Sequence, residues 1–215
     1  MTSRALVYKV QDYGETSKLL FIYTPTGKYT LVARGAKNYK NNFFHLADYC
    51  NLIEIDLDLT KSMQTLKKGK LLNSYENLKN DYKSFKIISK IFIIIDKILI
   101  NVDHQDKIFN LIIDLLEYEN LELAYLSLLV KLTYSLGYRL TFQDSNIKGF
   151  NLKLGRTVSL DENIELDLDL TLTLYLKIIY YTKQEPKIED KYIYSLFEFI
   201  KEYYKYHIDY KIKDL

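Results

Sequence analysis

The sequence predicts an α+β protein: a five-stranded OB-type barrel over residues 1–80, then an all-α helical domain over 81–215 with a loop-rich insert at 138–165. Three observations carry this reading. Apolar residues recur with a period of two in the first part, the period becomes helical near Asn80, and the stretch 138–165 is mixed and polar with no helical period.

Leu6, Tyr8 and Val10 alternate with Val7 and Lys9, and the turn signal Asp12-Tyr13-Gly14-Glu15 follows. A second apolar run, Leu19 to Tyr23, stops at Thr24-Pro25-Thr26-Gly27, and a third extends from Lys28 to Ala33. Runs of about five to eight residues between such breakers have strand length, and two runs joined by a Pro/Gly turn make a hairpin. Gly35 to Asp48 reads as a loop or short helix. From Asn51 to Thr60, Leu52, Ile53, Ile55, Leu57 and Leu59 stand against Glu54, Asp56 and Asp58, which gives a strand with one buried and one wet face. Met63 to Leu72 is a weaker fifth strand, and it completes the element count of an OB barrel.

Ser84 to Asn101 is apolar on most sides (Phe85, Ile87, Ile88, Ile91, Phe92, Ile95, Leu99), as a helix inside a bundle must be. His104–Tyr118 and Leu121–Leu136 follow with helical spacing, the latter ending at the C-cap candidate Gly137. Glu165 to Leu176 sets two signals against each other. Leucines at every second position give strand period, but Leu is a weak strand former and Tyr175–Thr182 suits a helix, so a helix is expected from about Asp169. Pro186 breaks the chain, and Glu189–Tyr206 is a last amphipathic helix.

Composition narrows the chemistry. With 48% apolar and 27% charged residues and only two Pro, the chain can bury a core and is not disordered. A single cysteine, Cys50, forbids an intrachain disulfide and points to a reducing compartment. A structural zinc site needs about four clustered Cys or His ligands. Cys50, His45, His104 and His207 are too scattered for that, and no cofactor is expected. No leader opens the chain, and the greasiest stretch, Ile87–Ile100, is cut by Lys90, Asp96 and Lys97. The expectation is a soluble cytoplasmic protein without a membrane partner. Thr26-Gly27-Lys28 lacks the upstream glycine of a phosphate loop, with Ile22 in its place, and Gly69-Lys70 fails likewise at Gln64. There is no G-x-S-x-G and no H-E-x-x-H, so no catalytic site is expected. Glu54, Asp56 and Asp58 could serve a metal-dependent nuclease, but the wet side of a half-buried strand explains them more simply.

Residues 1–80 carry twelve Lys or Arg against seven Asp or Glu, whereas 81–215 carry eighteen against twenty-one. A basic module joined to a mildly acidic one suggests a polyanionic partner for the first. The informative stretch is Lys28 to Phe44, where Lys28, Arg34, Lys37 and Lys40 are interleaved with Tyr29, Tyr39, Phe43 and Phe44. Cations track a phosphate backbone while exposed rings stack on bases. Lys67, Lys68 and Lys70 add a second cluster. The candidate DNA contacts are therefore Lys28, Arg34, Lys37, Tyr39, Lys40, Lys67, Lys68 and Lys70.

Several of these residues lie in recognisable motifs. Tyr8-Lys9-Val10-Gln11-Asp12-Tyr13-Gly14-Glu15-Thr16-Ser17-Lys18 resembles the opening of the bacterial DNA repair family RecO, in which an apolar strand runs into a D-Y-G-E-x-(D/S)-K turn. Thr24-Pro25-Thr26-Gly27-Lys28 and Ala33-Arg34-Gly35-Ala36-Lys37 resemble the family's T-x-x-x-G-K turn and its A-(K/R)-G-A-(R/K) strand end. Leu66-Lys67 with Leu71-Leu72, then Leu136-Gly137-Tyr138, then Tyr206-His207 with Lys211 and Lys213, resemble later segments in the same order.

The resemblance implies an OB barrel followed by a helical domain, in a recombination mediator without catalysis. Such proteins bind single- and double-stranded DNA and anneal complementary strands. With RecR they load RecA onto DNA coated by single-strand-binding protein, and the acidic tail of that protein is expected on the helical half. Arg34 and Lys37 fall in the family's basic strand end. Many relatives carry a four-Cys zinc module in the insert, but residues 138–165 hold no Cys or His. The insert must then be held by packing of Phe142, Ile147, Phe150, Leu152 and Leu154, or be mobile. The rival reading is a protein adaptor whose barrel docks RecR or another partner with negligible DNA contact.

Overall fold

The computed structural model describes residues 1–99 and 103–214. The chain divides into two compact units, Met1–Leu111 and Ile112–Leu215. The change of period near Asn80 marks where strand gives way to helix.

The first unit is built on one sheet. Strands β1 (Thr2–Tyr13), β2 (Ser17–Thr24) and β3 (Gly27–Ala33) form an antiparallel meander, and β4 (Leu52–Asp56) pairs antiparallel with the free side of β1. Strand β5 (Met63–Thr65) adds in parallel to β3, and β6 (Gly69–Asn73) adds antiparallel to β4. The order is β5-β3-β2-β1-β4-β6. The expected fifth strand is therefore two short strands at opposite edges, separated by Leu66–Lys68.

Laid flat, six strands at about 4.8 Å spacing would set the outer two about 24 Å apart. The four peptide links from Thr65 to Gly69 can span at most about 14 Å. The sheet must curl until its edges approach each other. Strands β5 and β6 share no ladder, however, so the expected closed five-stranded barrel is corrected to a curled, open sheet of six strands. Leu66 turns into the core and its N–H donates to Val32 O at 3.0 Å, while Lys67 and Lys68 stay exposed. Two consecutive lysines cannot both take the wet side of a strand, and the ladder breaks at them.

Ala5, Val7, Leu20, Ile22, Leu31, Ala33, Ile53, Ile55 and Leu66 fill the inside of the curl. The alternation expected along β1 is interrupted by a bulge, where the register slips between Val7 and Lys9. Val10, not Lys9, consequently follows Val7 onto the core face. Gly35–Asp48 is a run of turns (Asn38 N to Gly35 O, Asn41 N to Asn38 O, Phe44 N to Asn41 O) that delivers Ala36, Leu46 and Ala47 to the same core.

Helices α1 (Glu76–Asn80), α2 (Tyr82–Lys97) and α3 (Gln105–Leu115) follow, and α2 packs on β1. Asp81 caps α2 by accepting from the Ser84 N–H and hydroxyl, both at 2.8 Å. The expected continuation of this helix through Ile100 and Asn101 lies outside the described residues.

The second unit holds α4 (Leu121–Ser135), α5 (Leu170–Tyr181) and α6 (Asp190–His207), with a hairpin of β7 (Ile147–Asn151) and β8 (Arg156–Ser159) in the insert. Both strands of that hairpin lie inside the loop-rich insert expected over 138–165. Helix α4 is buried on nearly every side against α5 and α6, and the buried Tyr204 hydroxyl donates to Leu129 O at 2.8 Å. Gly137, at φ 87°, ends the helix in a Schellman motif in which Gly137 N–H donates to Tyr134 O and Tyr138 N–H to Thr133 O.

The insert is held by packing, as its apolar residues require. Phe150 is fully buried between Phe142 (5.5 Å, ring centres) and Phe199 (5.6 Å). Leu154 departs from the expectation: it stands 51% exposed at the hairpin tip. Arg156 grips Glu162 with two nitrogens, at 3.0 and 2.6 Å. Both signals in Glu165–Leu176 are real. Asp167 and Leu168 run extended against Phe150, and Asp169 then caps α5 by accepting from Leu172 N–H at 2.8 Å.

Gly149 lies where the two extended segments meet. A Cβ there would run into the Leu168 carbonyl oxygen. Gly149→Ala should therefore cost about 1–3 kcal/mol in urea unfolding. It should also speed hydrogen exchange of the Phe150 amide, which donates to Leu168 O at 3.0 Å.

Candidate nucleic-acid interface

Identical charges in the sequence have different tasks in the structure. The half-buried Lys28 donates to Ile95 O (3.2 Å) and Asp96 O (3.1 Å) in the last turn of α2, where a cation complements the helix dipole. Burial pulls its pKa below the usual lysine value, against the raising effect of Asp96. Lys37 lies 3.0 Å from the Asp12 carboxylate, donates to Gly14 O at 3.0 Å, and offers its N–H to Thr16 O at 2.9 Å. Lys28 therefore fastens a helix, and Lys37 fastens the β1–β2 turn.

Arg34, Tyr39 and Lys40 are exposed at and after the end of β3. Tyr39 is 70% exposed with the Lys40 ammonium 5.7 Å from its ring centre, and Arg34 has no ion-pair partner among the described residues. Lys67, Lys68 and Lys70 are also exposed, on the link between β5 and β6 and on β6 itself. Lys70 faces Glu54 across the ladder, which dilutes its charge.

The parallel register joins the two clusters. Val32 pairs with Thr65 at the end of that ladder, and Arg34 and Lys67 each follow two residues beyond it, both exposed. The outer face runs back across the meander. Beside Arg34 and Lys67 lie Ser17 and the half-exposed Tyr13, which pair with each other, and then Val32, Leu19 and Gln11. The next row sets Lys9 opposite Phe21, with the ammonium 4.8 Å from the ring centre. Lys9, Tyr13 and Phe21 are candidate residues of this strip that sequence reading missed. The bulge hid Lys9, and Phe21 passed for core inside the apolar run Leu19–Tyr23.

The strip thus offers cations flanking partly exposed apolar and aromatic surface, the pairing that holds single-stranded nucleic acid. On the other half of the sheet, Glu54 stands between Arg4 and Lys70 in the ladders, and Asp58 is tied to Thr60 and Lys61. Among the described residues, no group of three or more His, Cys, Asp or Glu is placed to hold a metal ion. No described helix is long and apolar enough to cross a membrane.

The first unit is thus a curled, OB-like sheet with a basic, partly aromatic outer face. Comparison with known proteins adds to this. Residues 1–75 match the family described as Recombination protein O N terminal. The DNA repair protein RecO of Clostridium perfringens (strain 13 / Type A) is 36% identical over 75 residues, 34% of this chain and 30% of that protein. Its counterpart in Clostridium novyi (strain NT) is 31% identical over 77 residues, 35% of this chain and 30% of the relative. The DNA repair protein RecO of Bacillus mycoides (strain KBAB4) is 26% identical over 162 residues, 70% of this chain and 65% of the relative. The alignment thus spans under a third of the clostridial relatives and just under two thirds of the third. Among solved structures, Entamoeba histolytica asparaginyl-tRNA synthetase aligns over 70% of this chain and 36% of its own, at 12% identity and a TM-score of 0.30, too loose a likeness to bear on the fold.

Cys50 stands apart from the strip. It is fully buried at φ 64°, and burial pushes its thiol up to about 12. A thiol kept protonated is a poor nucleophile. Iodoacetamide at pH 8 should leave Cys50 unmodified in the native protein and alkylate it fully in denaturant. Because the folded value lies above the unfolded one, the native state holds the proton longer, and stability should fall as pH rises from about 9 toward 12.

Proposed function

We propose that this protein acts in DNA repair and recombination as a non-enzymatic mediator that binds DNA on the outer face of its N-terminal sheet. The observation that carries the reading is the strip joining Arg34, Lys67 and Lys9 to Tyr13 and Phe21, on the segment that matches the recombination protein O family. Cations on the strip neutralise phosphates, and the rings stack on unpaired bases. One surface that screens two phosphate chains lowers their mutual repulsion, which is all that annealing of complementary strands demands of a protein. The relatives are named DNA repair proteins, which supports the same role here. In this reading the protein is cytoplasmic, works with RecR to load RecA, and meets the tail of single-strand-binding protein on its helical half.

The test is fluorescence anisotropy of a labelled single strand titrated at several salt concentrations, beside an Arg34→Glu/Lys67→Glu variant checked for native circular dichroism. The native protein should bind with an affinity that falls steeply with salt. The variant should bind at least tenfold more weakly, with the slope of log affinity against log salt reduced by about 1.4, or about 0.7 per lost phosphate contact. No retention of DNA at low salt would overturn the reading and leave an adaptor. Binding that survives the variant would move the site off this strip.

A further inference from the structure

The helical unit has an exposed aromatic surface that the sheet-based reading does not use. Of its two arginines, Arg156 is held by Glu162. Arg139 is exposed, with its guanidinium carbon 4.7 Å from the centre of the Tyr134 ring and no ion-pair partner among the described residues. Acidic groups on the neighbouring elements are engaged elsewhere: Asp144 lies 3.6 Å from Lys177, and Glu202 lies 3.2 Å from Lys205. Rings extend from Arg139 in both directions. On one side Tyr138 lies 6.2 Å from His207, which is 4.8 Å from Tyr206. On the other, Tyr180 lies within electrostatic reach of Arg139 and Tyr134 and packs edge-on at 5.0 Å against Tyr181. Tyr134, Tyr181 and Tyr206 are 51%, 61% and 57% exposed. Single exposed rings are ordinary, but a continuous run of them around an unpaired arginine is not.

We propose that this track, from Tyr206 through Tyr138, Arg139 and Tyr134 to Tyr181, is a second contact for single-stranded DNA. It rests on the reading of the protein as a DNA-binding mediator and adds to it a site on the helical unit. An arginine 4.7 Å over a tyrosine ring and without an ion-pair partner among the described residues has N–H donors free for a phosphate. The flanking exposed tyrosines supply π-faces that accept any sequence. An apolar peptide would want aliphatic walls and a groove, whereas this surface offers edges and faces of rings around one cation. A contact built mostly on stacking neutralises few phosphates, so its salt dependence is shallow. It also demands unpaired bases, so a duplex gains little from it.

The full-length protein is irradiated with an oligothymidylate carrying 5-iododeoxyuridine, and adducts are mapped by mass spectrometry. Adducts on Tyr134, Tyr138, Tyr181 or Tyr206 are expected. In parallel, a Tyr134→Ala/Arg139→Gln/Tyr181→Ala variant, all at exposed positions, should bind the single strand about tenfold more weakly, with its salt slope almost unchanged and duplex affinity within twofold. Adducts confined to residues 1–111, or a variant that binds the strand like the native chain, would overturn the second site and leave the sheet reading standing. Loss of all binding in Arg34→Glu/Lys67→Glu would overturn it as well. Absence of DNA binding by the native protein would end both readings.

Discussion

Three residues, Leu66 to Lys68, connect one edge of the sheet to the other, and the first unit depends on that short link. It forces the sheet to curl, and the curl makes an inside for Val7, Leu20, Ile22, Leu31 and Ile53 to fill. Leu66 is both part of the link and part of the core, so the connection that bends the sheet is itself held by what the bend encloses. Once inside and outside are defined, the period of two decides the rest: every residue that alternates with the core set on β1, β2 and β3 is turned outward. The outward strip of cations and rings is thus a by-product of closing the core, and its rigidity is that of the core.

The same geometry separates cations that look alike in the sequence. Lys28 lies near the start of β3 and Arg34 just past its end, yet one reaches helix carbonyls and the other reaches solvent. Lys37 and Lys40 are three residues apart, and only the first finds a carboxylate. A basic stretch therefore divides into residues that assemble the module and residues that face solvent. Substituting the former would perturb binding through the fold, and its effect would say nothing about contact.

Much of the architecture was legible because it rests on local periodicity. The strands over Leu6–Val10 and Lys28–Ala33, the helix ending at Gly137 and the helix beginning after Asp169 all come from spacing and capping chemistry that a short window contains. What the sequence hid depends on pairing between distant segments. The split of Met63–Leu72 follows from β5 and β6 choosing different partners, β3 and β4, and no local pattern announces that choice. The bulge on β1 moved Lys9 outward and Val10 inward against the simple alternation. The segments carrying Arg34 and Lys67 are brought to one edge only by the parallel register of β3 and β5. The anchor of the insert's hairpin, Phe199 on α6, lies far along the chain from Phe150.

That anchor gives the insert its own physical character. The hairpin is fastened by Phe150 seated among Phe142 and Phe199, with Arg156 and Glu162 bracing its base. A fastening made of hydrocarbon takes up no metal and gives no electrons, so its strength follows the thermodynamics of apolar hydration. Such contacts weaken on cooling, because the driving force near room temperature is almost wholly entropic. In this chain the apolar part of the fastening between α4 and α5 therefore contributes less near the freezing point than at room temperature, while the Arg156–Glu162 pair does not share that dependence.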